Sequence, residues 1–155
     1  MVETISKFLC HCYMKLFLIL FFFPFFVIAG NNSDGTYQEF FDDNNLKFEV
    51  TYMNGKKNGK ESFWYENGNL KMQSHYINGK ENGLWQQWFE NGQLKLSVNY
   101  KDGKENGLWQ QWFENGLLKS QSEWENGIKN GPEFVWSKDG NLESKTLYKD
   151  GKISN

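Results

Sequence analysis

The side chains that could carry out acid–base, metal or thiol chemistry are few, and the carboxylates among them recur at a fixed interval. The recurring carboxylates are Glu66, Glu90 and Glu114 beside one kind of predicted turn, and Glu81 and Glu105 within a second. A catalytic acid–base pair needs two carboxylates in different environments, whereas equivalent positions of a repeat share one environment. We therefore interpret these carboxylates as solvated turn residues.

Histidine and cysteine offer no better site. His75 is the one histidine after residue 29, and both cysteines, Cys10 and Cys12, precede residue 29. With one histidine and no cysteine after residue 29, a catalytic Ser–His–Asp or Cys–His set is not expected. The segment Cys10-His11-Cys12 lacks a fourth ligand for a metal ion. We expect a chain that is not an enzyme, with no catalytic residue, no metal site and no cofactor.

A row of aromatic side chains, paired with lysines, is the candidate binding site. The row is Phe40, Trp64, Trp88, Trp112 and Trp136, and the predicted cross-strand partners are Lys47, Lys71, Lys95, Lys119 and Glu143. Successive rungs would stand about 10 Å apart, which is two strand spacings. In one interpretation the row binds a partner, with aromatic platforms for sugars or a peptide and lysines for acidic groups. In the other, each lysine stem covers its own tryptophan, a contact worth about 0.5–1 kcal/mol. A long exposed aromatic row favours binding.

The glycines show which elements must hold this row. Fourteen of the fifteen follow a 24-residue interval in three phases, each preceded by Asn or Asp, and residues 79–92 and 103–116 are identical. Such an interval indicates a repeat protein. We place the units at 52–75, 76–99, 100–123 and 124–147, with partial units at 30–51 and 148–155.

Each unit is predicted to contain one β-hairpin. We expect a two-residue type I′ turn at Asn91-Gly92, because Asn and Gly accept the positive φ angles that this turn requires. A longer connection over residues 78–83 then joins one hairpin to the next. Five hairpins predict ten antiparallel strands in one elongated all-β sheet without helices, which twists and curls.

The turn also fixes which residues face each other across the strands. Trp85 is predicted to face Val98 on a mostly apolar core face, together with Gly83 opposite Tyr100. Trp88 is predicted to face Lys95 on the other face, called the outer face below. A single sheet has nothing in the chain to cover its core face, so we expect curling or homodimerisation. The last unit places polar residues on the core face, which suits a capping unit: Glu133, Ser137, Ser144 and Thr146.

Residues 1–29 are predicted to be a signal peptide. Residues 16–29 are apolar throughout, follow Lys15 and precede small and polar residues, and they are shorter than the roughly 20 residues that span a bilayer. We predict cleavage between Ala29 and Gly30, with Met14 as an alternative start and an uncleaved anchor as the alternative fate. The predicted location is therefore the periplasm, the cell surface or the extracellular medium.

The charge of the chain argues against nucleic acid as a partner. The net charge is −2, residues 30–155 carry −3, and the chain contains no arginine. Arginine is the usual residue for bidentate contacts with phosphates and bases, and nucleic-acid-binding domains are typically basic.

The repeated pattern resembles a known family. Tyr-x-Asn-Gly-Lys-x-Asn-Gly-x-Trp-x-x-Trp-x-x-Asn-Gly-x-Leu resembles the MORN repeat in its bacterial variant form over residues 34–155. It is most similar to the YwqK-type proteins, antitoxin components of toxin–antitoxin modules. The resemblance implies a single-sheet array of hairpins that binds something, with membranes or proteins as the suggested partners of related eukaryotic arrays. The predicted leader departs from a cytoplasmic antitoxin.

Three functions follow as hypotheses. The first is a non-catalytic, exported scaffold that binds a protein partner, with immunity against an exported toxin as its specific form. The second is a secreted module that binds a glycan or the cell wall. The third is binding to a membrane surface through the Trp/Lys row, which the charge of −3 disfavours because anionic lipid would attract only the lysines. Near-identical units favour binding over catalysis, because duplication lengthens a binding strip but multiplies a unique active site.

Overall fold

The repeat array is one antiparallel sheet in which the strands follow each other in chain order. The computed structural model describes residues 34–154, which belong to a compact unit of their own, Asn32–Asn155. The strands are β1 (Gly35–Phe40), β2 (Leu46–Met53), β3 (Lys56–Trp64), β4 (Leu70–Ile77), β5 (Lys80–Glu81), β6 (Gly83–Trp88), β7 (Leu94–Lys101), β8 (Lys104–Trp112), β9 (Leu118–Glu125), β10 (Ile128–Trp136), β11 (Leu142–Lys149) and β12 (Lys152–Ile153). The predicted signal peptide and its cleavage site lie outside the described residues. Within residues 34–154 there is no helix with the length and apolar character needed to cross a bilayer.

The predicted architecture is confirmed. The array is an all-β sheet of successive hairpins, and the ten predicted strands are present. The sheet has twelve strands and not ten, because β5 and β6 are one predicted strand interrupted at Asn82 and because β12 adds a short strand after the fifth hairpin. The central register is also as predicted, with Trp85 opposite Val98 and Gly83 opposite Tyr100.

The turn within each hairpin differs from the prediction. The Gly92 N–H donates to the Phe89 carbonyl at 2.9 Å and the Phe89 N–H donates to the Gln93 carbonyl at 2.8 Å. Gly92 has a φ of 84°, whereas Asn91 has an ordinary negative φ. This is a three-residue loop, a type I turn followed by a glycine bulge, so the predicted type I′ turn is wrong here. The cause is the Asn91 side chain, whose Oδ1 accepts the Gln93 N–H at 2.9 Å and so closes the loop without a left-handed asparagine.

The type I′ turns instead join one hairpin to the next, where a longer connection was predicted. Asn78 and Gly79 have φ angles of 52° and 83°, and Ile77 pairs with Lys80 across them. The same two-residue turn occurs at Asn54-Gly55, Asp102-Gly103, Asn126-Gly127 and Asp150-Gly151. The strand then breaks its pairing around a second glycine, Gly83, with a φ of 105°. The second glycine phase therefore marks a bulge and not part of a loop.

The three-residue turn changes the pairing beside it. Trp88 faces Leu94, and the next pair is Gln87 with Leu96, so that Lys95 is left as an extra residue. The predicted pairing of Trp88 with Lys95 is therefore wrong. The shift recurs in every hairpin, where the partners are Phe40 with Leu46, Trp64 with Leu70, Trp112 with Leu118 and Trp136 with Leu142.

The core face buries only its centre. Val50, Ser74, Val98 and Ser122, one per unit, lie along that centre and are buried, with Val98 3% exposed. The large rings around them, such as Trp85 and Tyr100, are half-buried. Small side chains at the centre let the flanking rings cover them, so the sheet encloses a thin core without a second layer.

Hydrogen bonds between turns hold the units in place at both edges of the array. At one edge, glycine N–H groups donate to carbonyls of the preceding unit at 2.8–2.9 Å, namely Gly79 to Lys57, Gly103 to Glu81, Gly127 to Glu105 and Gly151 to Lys129. At the other edge, asparagine Nδ2 groups donate to carbonyls of the following unit, namely Asn67 to Glu90, Asn91 to Glu114 and Asn115 to Lys138. Asn and Gly thus fix the stacking of the repeats as well as the turns themselves.

Candidate binding surface

The lysines of the predicted row lie over aromatic rings, but not over the tryptophans. Lys95 Nζ lies 5.5 Å from the ring centroid of Phe89, the first residue of the turn. The equivalent pairs are Lys47 with Phe41, Lys71 with Tyr65 and Lys119 with Phe113, at 5.3–6.0 Å. The bulge explains this change, because it moves the lysine out of the ladder and toward the turn. The predicted Trp–Lys pairs are therefore not formed, and the lysines belong to the turn edge.

The four tryptophans of the row are half-buried. Trp64, Trp88, Trp112 and Trp136 each keep only part of their surface in contact with solvent, while Phe40 in the first unit is 52% exposed. The tryptophans of the row are thus less exposed than expected. Whether these side chains bind a partner stays a prediction.

Two exposed leucines on the same strands and the same face as tryptophans of the row were missed by the sequence reasoning. Leu84 and Leu108 occupy equivalent positions of the two identical segments and are 50% and 46% exposed. Each shares the outer face with the tryptophan four residues later on its strand, Trp88 on β6 and Trp112 on β8. We call these four residues the outer-face patch. The signal in the sequence is an apolar residue, in both identical segments, at a position predicted to lie on the polar face.

The outer-face patch is confined to the two central units. The residues equivalent to Leu84 in the other units are Thr36, Lys60 and Pro132. Between the two halves of the patch runs β7, which presents Ser97 and Asn99 on the same face. The two halves are therefore two strand spacings apart, about 10 Å. Amide side chains border the patch, and the Gln110 Nε2 donates to the Gln121 Oε1 at 3.0 Å.

On the core face, charged pairs in the flanking units replace tryptophans of the central units. The central units carry Glu81 with Trp85 and Glu105 with Trp109, where the flanking units carry Lys57 with Glu61 and Lys129 with Glu133. Each of the two lysines forms an ion pair with the glutamate four residues later. Lys57 Nζ also lies 4.8 Å from the ring centroid of Tyr76. These charges are satisfied by neighbours within the sheet and thus have a structural role.

Two tyrosine hydroxyls of the core face, those of Tyr76 and Tyr100, have a raised pKa and so remain protonated at neutral pH. Burial, with the nearby charges of Glu61 and Glu81, raises the pKa of Tyr76 well above its ordinary value. Burial beside Glu105 and Glu81 raises the pKa of Tyr100 as well. The Tyr76 hydroxyl donates to the Glu81 Oε1 at 3.2 Å. Across residues 34–154, every buried side-chain N or O has a hydrogen-bond partner, so the core face presents no unsatisfied buried group to a ligand.

An open cavity of about 600 Å³ lies at the turn of the first hairpin. Its lining is largely acidic, and its lysine, Lys47, is paired with Glu39 at 2.7 Å. Phe40, the first residue of the predicted row, lines this cavity. Whether the row forms one binding strip stays a prediction.

Comparison with protein families agrees with the repeat seen in the sheet. The model of the MORN repeat variant matches residues 33–54, 57–78, 81–102, 105–126 and 129–150, more than two thirds of the chain. The chain belongs to the MORN repeat variant family. Each later MORN match covers one hairpin, from the strand after a type I′ turn to the first residue of the next such turn. No curated protein matches the chain. MORN repeats commonly act as scaffolds for protein or membrane binding, while the closer similarity to YwqK-type antitoxins stays a prediction.

Proposed function

We propose that this MORN array is a non-catalytic, exported scaffold that binds a protein partner through the outer-face patch. The observation that carries the proposal is the pair of exposed leucines, Leu84 and Leu108. Each lies on the outer face of a strand that also carries a half-buried tryptophan on that face, about 13 Å further along. Exposed apolar side chains gathered in a patch with a polar rim are typical of protein interaction sites.

The chemistry of the patch suits a protein surface. The leucines supply apolar area that binding would remove from water. The tryptophan rings further along the same strands are half-buried and therefore already held by packing, which reduces the ordering cost of association. Gln86 and Gln110 between them can exchange hydrogen bonds with a partner backbone. Fully burying a leucine side chain is worth about 1.5–3 kcal/mol, so the half that Leu84 and Leu108 still expose is worth about 1 kcal/mol each.

The positions of the lysines disfavour the membrane hypothesis. Lys71, Lys95 and Lys119 lie over turn aromatics at the edge of the sheet, and so they do not flank the tryptophans as a basic aromatic strip would. A net charge of −3 over residues 30–155 also opposes attraction to anionic lipid. The half-buried tryptophan rings are likewise poorer sugar platforms than fully exposed rings.

Immunity against an exported toxin is the specific form of the proposal. It is supported by the resemblance to YwqK-type antitoxins and by the predicted leader, which would place the scaffold where an exported toxin acts.

The test compares binding by three forms of residues 30–155. The envelope fraction of the native organism is passed over the unaltered array, over the double variant Leu84→Ser/Leu108→Ser, and over Leu147→Ser as the matched control. Leu147 lies on the outer face, is 48% exposed and is outside the patch. Each captured protein is identified and its affinity is measured again with purified components.

The expected result is one identified protein whose affinity falls about 30-fold with the double variant, since the two leucines supply about 2 kcal/mol, and stays unchanged with Leu147→Ser. Equal loss with all variants, or none with the double variant, would remove the patch from consideration. Retention on polysaccharide alone would establish glycan binding, and flotation with liposomes only when they contain anionic lipid would establish membrane binding.

A further inference from the structure

Ten asparagines of the array directly precede a glycine, and asparagine in this dipeptide deamidates readily. Asparagine is among the thermolabile residues of proteins, and glycine leaves its backbone nitrogen unhindered because it has no Cβ. The structure divides the ten asparagines into three classes. They lie in the type I′ turns (Asn54, Asn78 and Asn126), in the three-residue loops (Asn67, Asn91 and Asn115) and before the bulge glycines (Asn58, Asn82, Asn106 and Asn130).

The reaction is a cyclisation followed by hydrolysis. The glycine nitrogen loses its proton and forms a bond to the asparagine Cγ, and the Cγ–Nδ2 bond then breaks to release ammonia. Water opens the resulting succinimide ring at one of its two carbonyl carbons, which gives aspartate or isoaspartate. The sum is asparagine plus water to an acidic residue plus ammonia, without an oxidant or a reductant. Because the reacting atoms must first meet, the carboxamide has to turn toward the glycine nitrogen.

The glycine nitrogens do not distinguish the two kinds of turn. In a type I′ turn, the Gly127 N–H donates to the Glu105 carbonyl at 2.9 Å, and in a three-residue loop the Gly116 N–H donates to the Phe113 carbonyl, also at 2.9 Å. The asparagines before these two glycines are both exposed. A difference in reactivity between the two turns must therefore come from the carboxamide.

The three-residue loops hold the carboxamide at both of its ends. The Asn115 Oδ1 accepts the Leu117 N–H at 3.1 Å, and the Asn115 Nδ2 donates to the Lys138 carbonyl at 2.9 Å. Asn67 is held by two equivalent bonds, each of 2.9 Å. Asn91 keeps the first bond at 2.9 Å, but its Nδ2 bond is long at 3.5 Å. Cyclisation in these loops requires that such bonds break first.

The asparagines of the type I′ turns make their contacts through the backbone. The Asn126 N–H donates to the Asn106 Oδ1 at 3.3 Å, and the Asn78 N–H donates to the Asn58 Oδ1, also at 3.3 Å. Within residues 34–154, no hydrogen bond holds the carboxamide of an asparagine in these turns, and all three asparagines are exposed. The bulge asparagines, in contrast, are half-buried.

We propose that the asparagines of the type I′ turns, Asn54, Asn78 and Asn126, are deamidation sites of the array, and that the fold protects the other asparagine–glycine pairs. Each event adds one negative charge, so that three events change the net charge of residues 30–155 from −3 to −6. The modification lies at the turns between hairpins, and it is independent of what the outer-face patch binds.

The aspartate product fits the turn in which it forms. Asp102 and Asp150 occupy the equivalent position of two other type I′ turns, with φ angles of 51° and 50° against 52° for Asn126. The isoaspartate product adds one carbon to the backbone of a two-residue turn, and it should displace the Gly127 N–H from the Glu105 carbonyl of the preceding unit. One product therefore changes the charge alone, and the other also disturbs the stacking of the units.

The chain contains sequence-matched controls for all three classes. Asn126, Asn115 and Asn106 each lie in a Glu-Asn-Gly sequence that is followed by isoleucine or leucine, so their intrinsic reactivities should be nearly equal. The test incubates residues 30–155, which include the compact unit Asn32–Asn155, in mildly alkaline buffer, both folded and unfolded in urea. Peptide mapping by mass spectrometry, with fragmentation to assign the residue, gives the fraction of aspartate and isoaspartate at each site over time.

The expected rates follow from the bonds that must break. One hydrogen bond of ordinary strength slows the reaction about 5-fold, and two slow it about 30-fold. In the folded array Asn126 should therefore react about 30-fold faster than Asn115, with Asn91 between them. In urea Asn126, Asn115 and Asn106 should react at nearly equal rates. Asn126→Asp should keep the circular dichroism spectrum of the unaltered array.

Three outcomes would overturn the proposal. The first is an equal rate at Asn126 and Asn115 in the folded array, and the second is a faster rate at Asn106 than at Asn126. The third is an Asn126 that stays intact in the folded array over the time in which the unfolded chain reacts completely. A loss of structure in Asn126→Asp would contradict the conclusion that the aspartate product fits the turn.

Discussion

The same substitution should have very different effects on stability at two Asn-Gly sequences only 11 residues apart. Asn126 occupies the first position of a type I′ turn with a φ of 52°, a conformation that glycine adopts without strain. Asn115 precedes Gly116 in a three-residue loop and has an ordinary negative φ. Its side chain accepts the Leu117 N–H at 3.1 Å and donates to the Lys138 carbonyl at 2.9 Å. Replacing each asparagine by glycine therefore tests the assignment of the two turns.

The magnitudes follow from these contacts. Asn115→Gly loses two hydrogen bonds, worth about 0.5–1.5 kcal/mol each, and adds about 0.5–1 kcal/mol of backbone entropy in the unfolded chain. The expected loss in the free energy of unfolding is therefore about 1.5–4 kcal/mol. Asn126→Gly relieves a left-handed asparagine and should change stability by less than about 0.5 kcal/mol.

The assay is urea unfolding of residues 30–155 followed by tryptophan fluorescence and circular dichroism. Stability differences are read from the midpoints at a common m-value. A shift of several degrees in the thermal midpoint should accompany Asn115→Gly and be absent for Asn126→Gly. Equal effects of the two substitutions, or a larger effect at Asn126, would refute the assignment of a type I turn with a glycine bulge to the hairpin loops.

Three further predictions concern the core face and the bulges. Lys57→Met leaves the buried Glu61 carboxylate without its ion-pair partner and should lower the free energy of unfolding in urea by about 2 kcal/mol, less than the loss of a fully buried pair because the lysine is partly exposed. Adding Glu61→Gln to this variant should recover part of that loss. An unchanged midpoint for Lys57→Met would contradict a structural role of the ion pair. Because the pKa of Tyr76 is raised, its protonated hydroxyl stabilises the fold fully below about pH 10, the ordinary pKa of tyrosine, and this stabilisation is lost as the pH rises above that value. Tyr76→Phe should therefore make the free energy of unfolding less dependent on pH in alkali. An identical alkaline profile for the two proteins would count against burial of this hydroxyl. Gly131→Ala should lower the thermal midpoint more than Gly35→Ala. Both glycines have a positive φ, but a Cβ at 131 would lie 2.7 Å from the Glu123 carboxylate, whereas a Cβ at 35 meets no atom within 4 Å. Equal shifts of the two midpoints would show that the bulge adjusts freely.

The sequence predicted the register of the sheet although it misplaced the turns. A two-residue loop at Asn91-Gly92 and a three-residue loop followed by one extra residue, Lys95, lead to the same pairing of Trp85 with Val98. The same dipeptide, Asn-Gly, also occurs in both kinds of turn. Its conformation depends on whether the asparagine side chain bonds within the loop, which only the structure shows.

The candidate site was less predictable, for the same reason. The single extra residue beside each hairpin turn removes the lysine from the position opposite the tryptophan, so the predicted Trp88–Lys95 rung does not form. Alternation along β6 nevertheless placed Leu84 on the outer face correctly. Its functional interest was missed because a lone leucine on a polar face carries little weight until its exposure and its copy at Leu108 are seen together.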